Sequence, residues 1–272
     1  MQKQFLLLLL LSLFIGSTTT AQSEHQQINI GETFVNDVEH FFNLGIGIAK
    51  SPFSFSSDDW CKTGATIGGT ALLFTVDKSV RTFSQSNQSN INNKIFNLDA
   101  YYGSAYTAIF TSAIYGYGLF AKNKSIRKLG LNASEAFIYS VAITGILKTI
   151  IGRRRPYAGE NHLFFKPLQI TNDKYHSLPS GHTTAVFAVS TVMANYLDNT
   201  IWKVFWYGTA GLVGASRVYH NKHWISDVFL GAAIGYFVGS FTVNFDKEGS
   251  KYFGMNITPY FTFNKIGISL KF

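Results

Sequence analysis

A histidine and an aspartate, His223 and Asp227, stand four positions apart and have the residue types needed for nucleophilic catalysis. On a helix, this spacing would place both side chains on one face. The carboxylate could then accept the Nδ1 proton of the imidazole and leave Nε2 free to attack an electrophile. Arg217, just upstream, offers a planar fork of donors that suits an oxyanion such as phosphate. A His–Asp pair by itself is often only a structural hydrogen bond, so further residues must support the prediction.

Two earlier stretches support it, because each places donors at the end of a predicted helix. Ser180 and Gly181 precede His182 and an apolar run, which predicts a helix N-terminus with free N–H groups that attract anions. Lys148 lies near the end of another apolar run, and we expect Pro156, directly after Arg155, to stop that helix. An odd number of helices between these stretches would bring all their ends to one face.

The three stretches together resemble a known family. K-x6-R-P at residues 148–156, P-S-G-H at 179–182 and S-R-x5-H-x3-D at 216–227 are the signatures of the type 2 phosphatidic acid phosphatase superfamily, in the same order. That superfamily also contains bacterial acid phosphatases and vanadium haloperoxidases. The resemblance covers roughly residues 100–245, and every signature position is matched.

The resemblance implies hydrolysis of a phosphomonoester or pyrophosphate through a phosphohistidine. His223 would attack phosphorus, while Asp227 holds its tautomer and stabilises the resulting cation. His182 would protonate the leaving oxygen and then activate water. Five further residues would bind the phosphate oxygens, namely Lys148, Arg155, Ser180, Gly181 and Arg217. The sequence contains no cluster of acidic residues of the kind that holds Mg²⁺, so we expect neither a metal nor another cofactor.

Several functions agree with these residues. The first is a lipid phosphatase acting on phosphatidate-like, phosphatidylglycerophosphate-like, polyprenyl pyrophosphate or lipid A phosphates at a membrane. A soluble periplasmic acid phosphatase is its nearest rival, and a vanadium-dependent haloperoxidase would use the same residues to bind vanadate. A protein that binds phosphorylated lipid without turnover is disfavoured, because no catalytic residue type is missing. Neither the substrate nor the oligomeric state follows from the sequence.

The composition favours a membrane protein. Charged residues make up only 14% of the 272 residues and aromatic residues make up 16%, a poverty of charge that is unusual for a soluble domain. The net charge of +8 could serve anionic lipid, a phosphate substrate or nucleic acid. Nucleic acid is the weakest of these partners, because the basic residues are scattered among apolar runs.

The apolar pattern predicts an all-α bundle of about six helices, embedded in a membrane. Uncharged runs of 18 residues cover 104–121 and 228–245, which is long enough for membrane spans. A buried bundle in a soluble protein is the alternative. Glycines at 211, 214, 231, 235 and 239 suit close packing between helices. Residues 84–97, rich in Ser, Gln and Asn, predict a polar loop.

The two ends of the chain differ from this core. Residues 1–21 have the pattern of a cleaved secretory signal, with an uncleaved anchor as the alternative. Cys61, the only cysteine, excludes an internal disulfide and is expected to be buried. The tail alternates polar and apolar residues, which predicts a β-hairpin turning near 264–265. We therefore divide the chain into a signal peptide (1–21), an N-terminal helical or interfacial region (22–99), a phosphatase core (100–245) and a tail (246–272).

The basic residues also predict the orientation. Lys122, Lys124, Arg127 and Lys128 cluster between two helical candidates, and the positive-inside rule places that loop in the cytoplasm. The three signatures would then open to the periplasm from an inner membrane. A cleaved signal conflicts with this orientation if both 58–76 and 104–121 cross the membrane. Either 58–76 does not span, or residues 34–50 cross as well. We favour the first, because Asp58, Asp59 and Lys62 crowd the start of 58–76.

Overall fold

The computed structural model describes residues 29–248, 256–262 and 265–271. The predicted signal peptide lies outside these residues. The described part of the chain contains nine α-helices, and we number them in chain order. They are α1 (Ile30–Lys50), α2 (Ser57–Phe74), α3 (Asp77–Ser86), α4 (Asn90–Ile95), α5 (Ala105–Phe120), α6 (Lys124–Ile151), α7 (Gly181–Leu197), α8 (Thr200–Tyr219) and α9 (Ile225–Glu248).

The predicted helical bundle is confirmed, and α7 lies at its centre. Its residues from Thr183 to Ala194 are buried except Phe187, as expected for a helix that is apolar all round. The helix packs against α6, α8 and α9. The apolar core includes Val186, Val189 and Trp206, each at most 1% exposed. The segments that precede and follow α7 are therefore anchored to the buried centre of the bundle.

Three glycines allow α9 to approach α7 closely. A Cβ atom added to Gly231 would lie 2.8 Å from the Ser180 carbonyl oxygen, and one added to Gly239 would lie 2.5 Å from that of Ala188. Gly235 meets the Thr184 carbonyl oxygen in the same way. The predicted close packing is thus confirmed for this stripe. It is wrong for Gly211, where an added Cβ would meet nothing within 4 Å.

Between the start of α1 and the start of α5, the polypeptide runs once from one end of the bundle to the other. In the first half of α1, Asp37 forms an ion pair with Arg127, in the first turn of α6, and accepts a hydrogen bond from Tyr115. At the other end, Asp77, the first residue of α3, contacts Ser226, in the first turn of α9. The start of α1 and the basic turn between α5 and α6 therefore lie at one end of the bundle. Helices α1 and α2 together lead to the opposite end.

Two helices are long and apolar enough to cross a membrane among the residues described, Lys124–Ile151 and Ile225–Phe245. By length and composition alone, this is weak support for a membrane protein, since core helices of soluble proteins can pass the same test. Helix α5, which was predicted to span, has only 16 residues. The helix over 58–76 is 18 residues long but is charged at its start.

Outside the bundle core, one prediction from the sequence is confirmed and two are wrong. The hairpin prediction is confirmed: strands β1 (Asn256–Thr262) and β2 (Lys265–Lys271) pair antiparallel, with Thr262 opposite Lys265. The predicted polar loop over 84–97 is wrong, because α3, α4 and a 3-10 turn occupy most of it. The burial predicted for Cys61 is also wrong, since this free cysteine is exposed.

Candidate active site

All eight site residues predicted from the sequence lie at the end of the bundle opposite the basic turn. Lys148 is in the last turn of α6, and Arg155 follows in the connecting segment. Ser180, Gly181 and His182 are at the start of α7. Arg217 is in the last turn of α8, and His223 and Asp227 surround the start of α9. Helices α6, α7, α8 and α9 alternate in direction, and this alternation brings the three signatures together.

Helix α6 ends differently from the prediction. Gly152 ends it in a left-handed conformation with φ of 63°, four residues before Pro156. A side chain at Gly152 would overlap the carbonyl of Lys166, so the close approach requires glycine. The chain then runs extended, with Arg153 bridged to Phe165 in an antiparallel arrangement. The early stop leaves Arg153, Arg154 and Arg155 outside the helix.

Lys148 and Arg155 are each held by a segment that precedes α7. The Lys148 ammonium donates a hydrogen bond to the His176 carbonyl oxygen at 2.6 Å. The Arg155 guanidinium donates to the Asp173 carboxylate at 2.8 Å and to its carbonyl oxygen at 3.0 Å. Tyr157 donates to the other carboxylate oxygen of Asp173. Both cations are thus fixed at the rim of the site.

The start of α7 forms the second part of the site. Ser180 is fully buried and occupies the N-cap position, but its side chain does not cap the helix. N–H groups in the first turn of a helix lack intrahelical partners and favour an anion. A Cβ atom added to Gly181 would lie 3.6 Å from Lys148 Cε. The Lys148 side chain therefore extends to the N-terminus of α7, as the sequence predicted.

Arg217 is oriented by an acidic residue from outside the three signatures. Its guanidinium donates to Asp99 Oδ2 at 2.5 Å, and the Asp99 side chain is only 7% exposed. His220, on the edge of the site, lies 3.7 Å from the other carboxylate oxygen. Asp99 belongs to a 3-10 turn, Phe96–Ala100, that packs against α8. The N-terminal region thus takes part in the site.

His223 and Asp227 are close together, but not through the helical geometry predicted. Helix α9 begins at Ile225, so His223 lies in the turn before it. His223 Nδ1 is 3.5 Å from Asp227 Oδ2, longer than a well-formed hydrogen bond. The same Oδ2 accepts hydrogen bonds from the Trp224 N–H at 2.9 Å and the Ser177 hydroxyl at 2.5 Å. Catalytic hydrogen bonds are often long before substrate binds, so the imidazole needs only a small shift to complete this one.

The surroundings of His223 favour its neutral form. Burial lowers the pKa of His223 well below its ordinary value, and the nearby charges of Lys148, Arg155 and Arg217 lower it further. The side chain is only 2% exposed. A neutral imidazole has an unprotonated ring nitrogen, which is the form that can act as a nucleophile.

One functional residue that the sequence analysis did not single out is Arg153, at an unspecified position between Lys148 and Arg155 in the first signature. Its side chain is completely buried and forms ion pairs with Asp77 and Asp227, each at 2.6 Å. Asp77 also accepts hydrogen bonds from Ser226 N–H and Oγ. Asp77 and Asp99 escaped notice because they lie far from the signatures in sequence. Asp77 did carry one signal in the sequence, because it is an acidic residue that directly follows an apolar run.

Within the described ranges, no group of three or more His, Cys, Asp or Glu residues is placed to hold a metal ion. Positive charge at the site comes from Lys148, Arg155 and Arg217.

The site combines a buried His–Asp pair, several cations and a helix N-terminus on an all-α bundle. This combination defines a class of protein that can transfer anionic groups such as phosphoryl groups. The model of the PAP2 superfamily matches residues 129–250, which include all three signatures. The resemblance to that superfamily found in the sequence is therefore confirmed over these residues.

Two relatives and the fold of a solved structure agree with this resemblance. The chain is 27% identical over 175 residues to the lipid A 1-phosphatase of Porphyromonas gingivalis, covering 64% of this chain and 35% of that protein. It is 25% identical to an undecaprenyl-diphosphatase of Sulfolobus acidocaldarius, covering 46% of this chain and 59% of the relative. The chain therefore spans about a third to three fifths of these relatives. The PAP2-type phosphatidylglycerolphosphate phosphatase of Bacillus subtilis shares the fold, with a TM-score of 0.54 and 20% identity over 71% of this chain and 99% of that one.

Proposed function

We propose that this protein is a metal-independent phosphatase that removes phosphate from a phosphomonoester or pyrophosphate of a lipid. The observation that carries the proposal is the meeting of buried His223 with Asp227, three cations and the N-terminus of α7 at one end of the bundle. A nucleophile and an oxyanion site in one place are what phosphoryl transfer requires.

In the first step, His223 Nε2 attacks phosphorus and forms an N–P bond while the bond from phosphorus to the leaving oxygen breaks. The proton on His182 passes to that oxygen. Burial and neighbouring cations lower the pKa of His182 to about 4, and the bound phosphate anion opposes that shift, so that His182 holds the proton until it is transferred. The imidazole becomes cationic, and the Asp227 carboxylate beside Nδ1 stabilises the cation. Meanwhile Lys148, Arg155 and Arg217 neutralise charge on the remaining phosphate oxygens.

In the second step, water attacks phosphorus and displaces Nε2. His182, now unprotonated, takes a proton from the water, which returns it to its starting state. The N–P bond breaks, and inorganic phosphate leaves with neutral His223 restored. N–H groups at the start of α7, with Ser180 and Gly181, bind the equatorial oxygens in both steps.

A lipid substrate is supported by the relatives and by the outer surface. The named relatives act on lipid A, undecaprenyl diphosphate and phosphatidylglycerolphosphate. Large apolar side chains are exposed on the outside of α5, α6 and α8, including Ile109 at 65%, Ile146 at 60% and Val204 at 68%. Apolar surface of this extent in contact with acyl chains would place the site close to lipid headgroups.

We further propose an inner-membrane location with the site facing the periplasm. Lys122, Lys124, Arg127 and Lys128 mark the opposite end of the bundle as cytoplasmic. In that orientation Asn29, which precedes α1, is cytoplasmic too, because Asp37 in the first half of α1 pairs with Arg127 at the start of α6. A periplasmic site and a periplasmic start of α1 therefore exclude each other. A cleaved signal would leave residue 29 in the periplasm, so this orientation conflicts with the cleaved signal that we expected.

A soluble periplasmic acid phosphatase is the second candidate, and the short helix α5 is the observation that favours it. Carbonate extraction of membranes separates the two: a lipid phosphatase of this kind stays in the pellet, whereas the soluble enzyme is released.

The proposed activity is tested by phosphate release from a panel of phosphorylated lipids and a soluble phosphomonoester, with and without EDTA. We expect turnover of at least one lipid, unchanged by EDTA and inhibited by vanadate, because Lys148, Arg155 and Arg217 supply the positive charge. Strict dependence on Mg²⁺ after chelation would contradict the metal-independent mechanism. Bromide oxidation with added vanadate and peroxide would instead indicate a haloperoxidase.

A further inference from the structure

Arg153 and Asp77 form a buried ionic chain that ends on the carboxylate beside the nucleophile. Arg153 contacts Asp227 Oδ1 through one guanidinium nitrogen and Asp77 Oδ2 through another, both at 2.6 Å. Ser226 Oγ accepts from Arg153 at 2.7 Å and donates to Asp77 at 2.7 Å. All four side chains are fully buried. The chain thus links α3, the segment after α6 and the first turn of α9.

Water has no access to this ionic chain of side chains, so it screens their charges less than it screens charges at the surface. The Arg153 guanidinium lies 4.4 Å from the ring centre of Phe74, 5.6 Å from that of Trp224 and 5.9 Å from that of Phe165. Its remaining donors are directed to the His162 carbonyl oxygen. Electrostatic interactions in such a poorly solvated site are several times stronger than at the surface.

The two aspartates compete for the single charge of Arg153. If Arg153 paired with Asp227 alone, it would neutralise the carboxylate that must stabilise cationic His223. Because Asp77 shares the same guanidinium, Asp227 keeps part of its charge for the imidazole. Its Oδ1 faces Arg153, and its Oδ2 lies on the side of His223. The arrangement fixes the carboxylate without discharging it.

We propose that Asp77 is a positioning residue that sets the strength with which Asp227 stabilises the histidine cation. It acts through Arg153 and does not touch the substrate. Asp77 lies outside residues 129–250, the part matched by the superfamily model, so the N-terminal region supplies a functional part of the site. This inference rests on the proposed phosphatase function.

Other charged groups lie near His223 and Asp227, and a test of Asp77 must leave them unchanged. They are Lys148 from α6, Arg155 and His162 from the following segment, His182 from α7, and Arg217 from α8 with its partner Asp99. None of them is changed by a substitution at position 77 or 153.

The experiment measures kcat and KM against pH in Asp77→Asn. Loss of the Asp77 charge leaves Arg153 paired with Asp227 alone, so the histidine cation becomes less stable. We expect the acid limb of kcat to move about one pH unit downward and kcat at its plateau to fall about tenfold, since one unit is tenfold in equilibrium. KM should change little, because no group that binds phosphate is altered.

A double variant, Asp77→Asn with Arg153→Met, should shift the acid limb of kcat in the opposite direction. It removes the competing cation together with Asp77, so Asp227 faces the imidazole without Arg153. We expect its acid limb to lie above that of Asp77→Asn and above that of wild type, because Arg153 is nearer to the imidazole than Asp77 is. Removing both partners also avoids leaving one buried charge unpaired, so this variant decides the question by itself if Asp77→Asn does not fold.

Two controls complete the design. Asp58→Asn removes an acid of the N-terminal region whose side chain is 73% exposed, and it should leave the acid limb unmoved. Ser226→Ala removes the hydroxyl that accepts from Arg153 and donates to Asp77 without changing charge, and it should lower the melting temperature while moving the limb less than Asp77→Asn does.

The outcomes separate this inference from the proposed function. If wild type releases no phosphate from any substrate, the proposed function fails. If wild type turns over but Asp77→Asn and the double variant move the limb in the same direction, or not at all, Asp77 is only structural and the inference is overturned.

Discussion

At the scale of single residues, the site depends on a histidine that the fold keeps neutral. His223 is buried and lies among cations, so its pKa is below the ordinary value. It needs Asp227 at the moment when it becomes positively charged. The same burial that protects the nucleophile makes its cation costly, and a partly neutralised carboxylate 3.5 Å away is the compensation.

Replacement of the nucleophile tests the mechanism directly. We expect His223→Ala to lower phosphate release by at least about 10⁴-fold, because the other described side chains at the site lack a comparable oriented nucleophile. Alkaline quenching during turnover of wild type, followed by mass spectrometry at high pH, should find phosphate on His223, because the N–P bond survives in base and is hydrolysed in acid. Asp58→Asn, on the exposed start of α2, serves as the matched control and should retain full activity. Phosphate trapped on another residue would refute the assignment.

The pH dependence follows from the lowered pKa of His223. Its neutral form persists to a pH below the ordinary value of 6.5, so we expect kcat to hold through pH 6 and to fall only in more acidic solution. Below 6.5 the unfolded chain binds this proton and the folded chain does not, so stability also declines as pH falls. Near-ultraviolet circular dichroism at each pH separates the two effects. An acid limb at or above 6.5, with the fold intact, would contradict the lowered pKa.

At the scale of elements, the glycine stripe of α9 decides how closely the two site-bearing helices approach. Gly231 meets the Ser180 carbonyl oxygen, one residue before α7 begins. The backbone N–H of Ser180 in turn donates to the Asp227 carbonyl oxygen at 3.0 Å. Packing of α9 on α7 therefore fixes the distance between His182 and His223, which a larger side chain in the stripe would increase.

A pair of glycine substitutions tests this packing. We expect Gly235→Ala to destabilise the fold by about 1–3 kcal/mol, as overpacking does, because an added Cβ would overlap the Thr184 carbonyl oxygen. Gly211→Ala is the matched control: its Cβ would meet nothing within 4 Å, and alanine favours a helix by about 1 kcal/mol. Thermal unfolding followed by fluorescence measures both. Equal melting temperatures for the two variants would show that the stripe is not tightly packed.

At the scale of the whole molecule, the ends of the bundle differ in charge and chemistry. One end carries the basic turn and the start of α1, and the other carries the site. If the bundle crosses a membrane, these ends lie on opposite sides of it. The orientation of the protein is therefore a single binary property that one labelling experiment can determine.

That experiment places single cysteines at Asn161, near the site, and Ser125, in the basic turn. Both positions are exposed, and exposed Cys61 must be replaced by serine so that it does not react. With an impermeant thiol reagent on intact spheroplasts, we expect labelling at position 161 and protection at position 125. The reverse pattern would place the site in the cytoplasm, and labelling of both would favour a soluble periplasmic enzyme.

The sequence by itself determined the resemblance to the superfamily, the helical bundle, the C-terminal hairpin and the eight candidate site residues. These features depend on residue types at fixed short spacings and on apolar runs, both of which are local. The sequence could not identify the end of α6, because Gly152 stops it through a close approach of Lys166 from a later segment.

Only the tertiary structure decided how the site is supported. Asp77, Asp99 and Asp173 stand 76, 118 and 18 positions from the arginines they contact, and no periodic pattern links them. Arg153 has the sequence surroundings of a surface cation, yet it is completely buried between two carboxylates. Ion pairs of this kind form only when helices distant in sequence meet in space, since each buried charge requires a partner that the local chain does not supply.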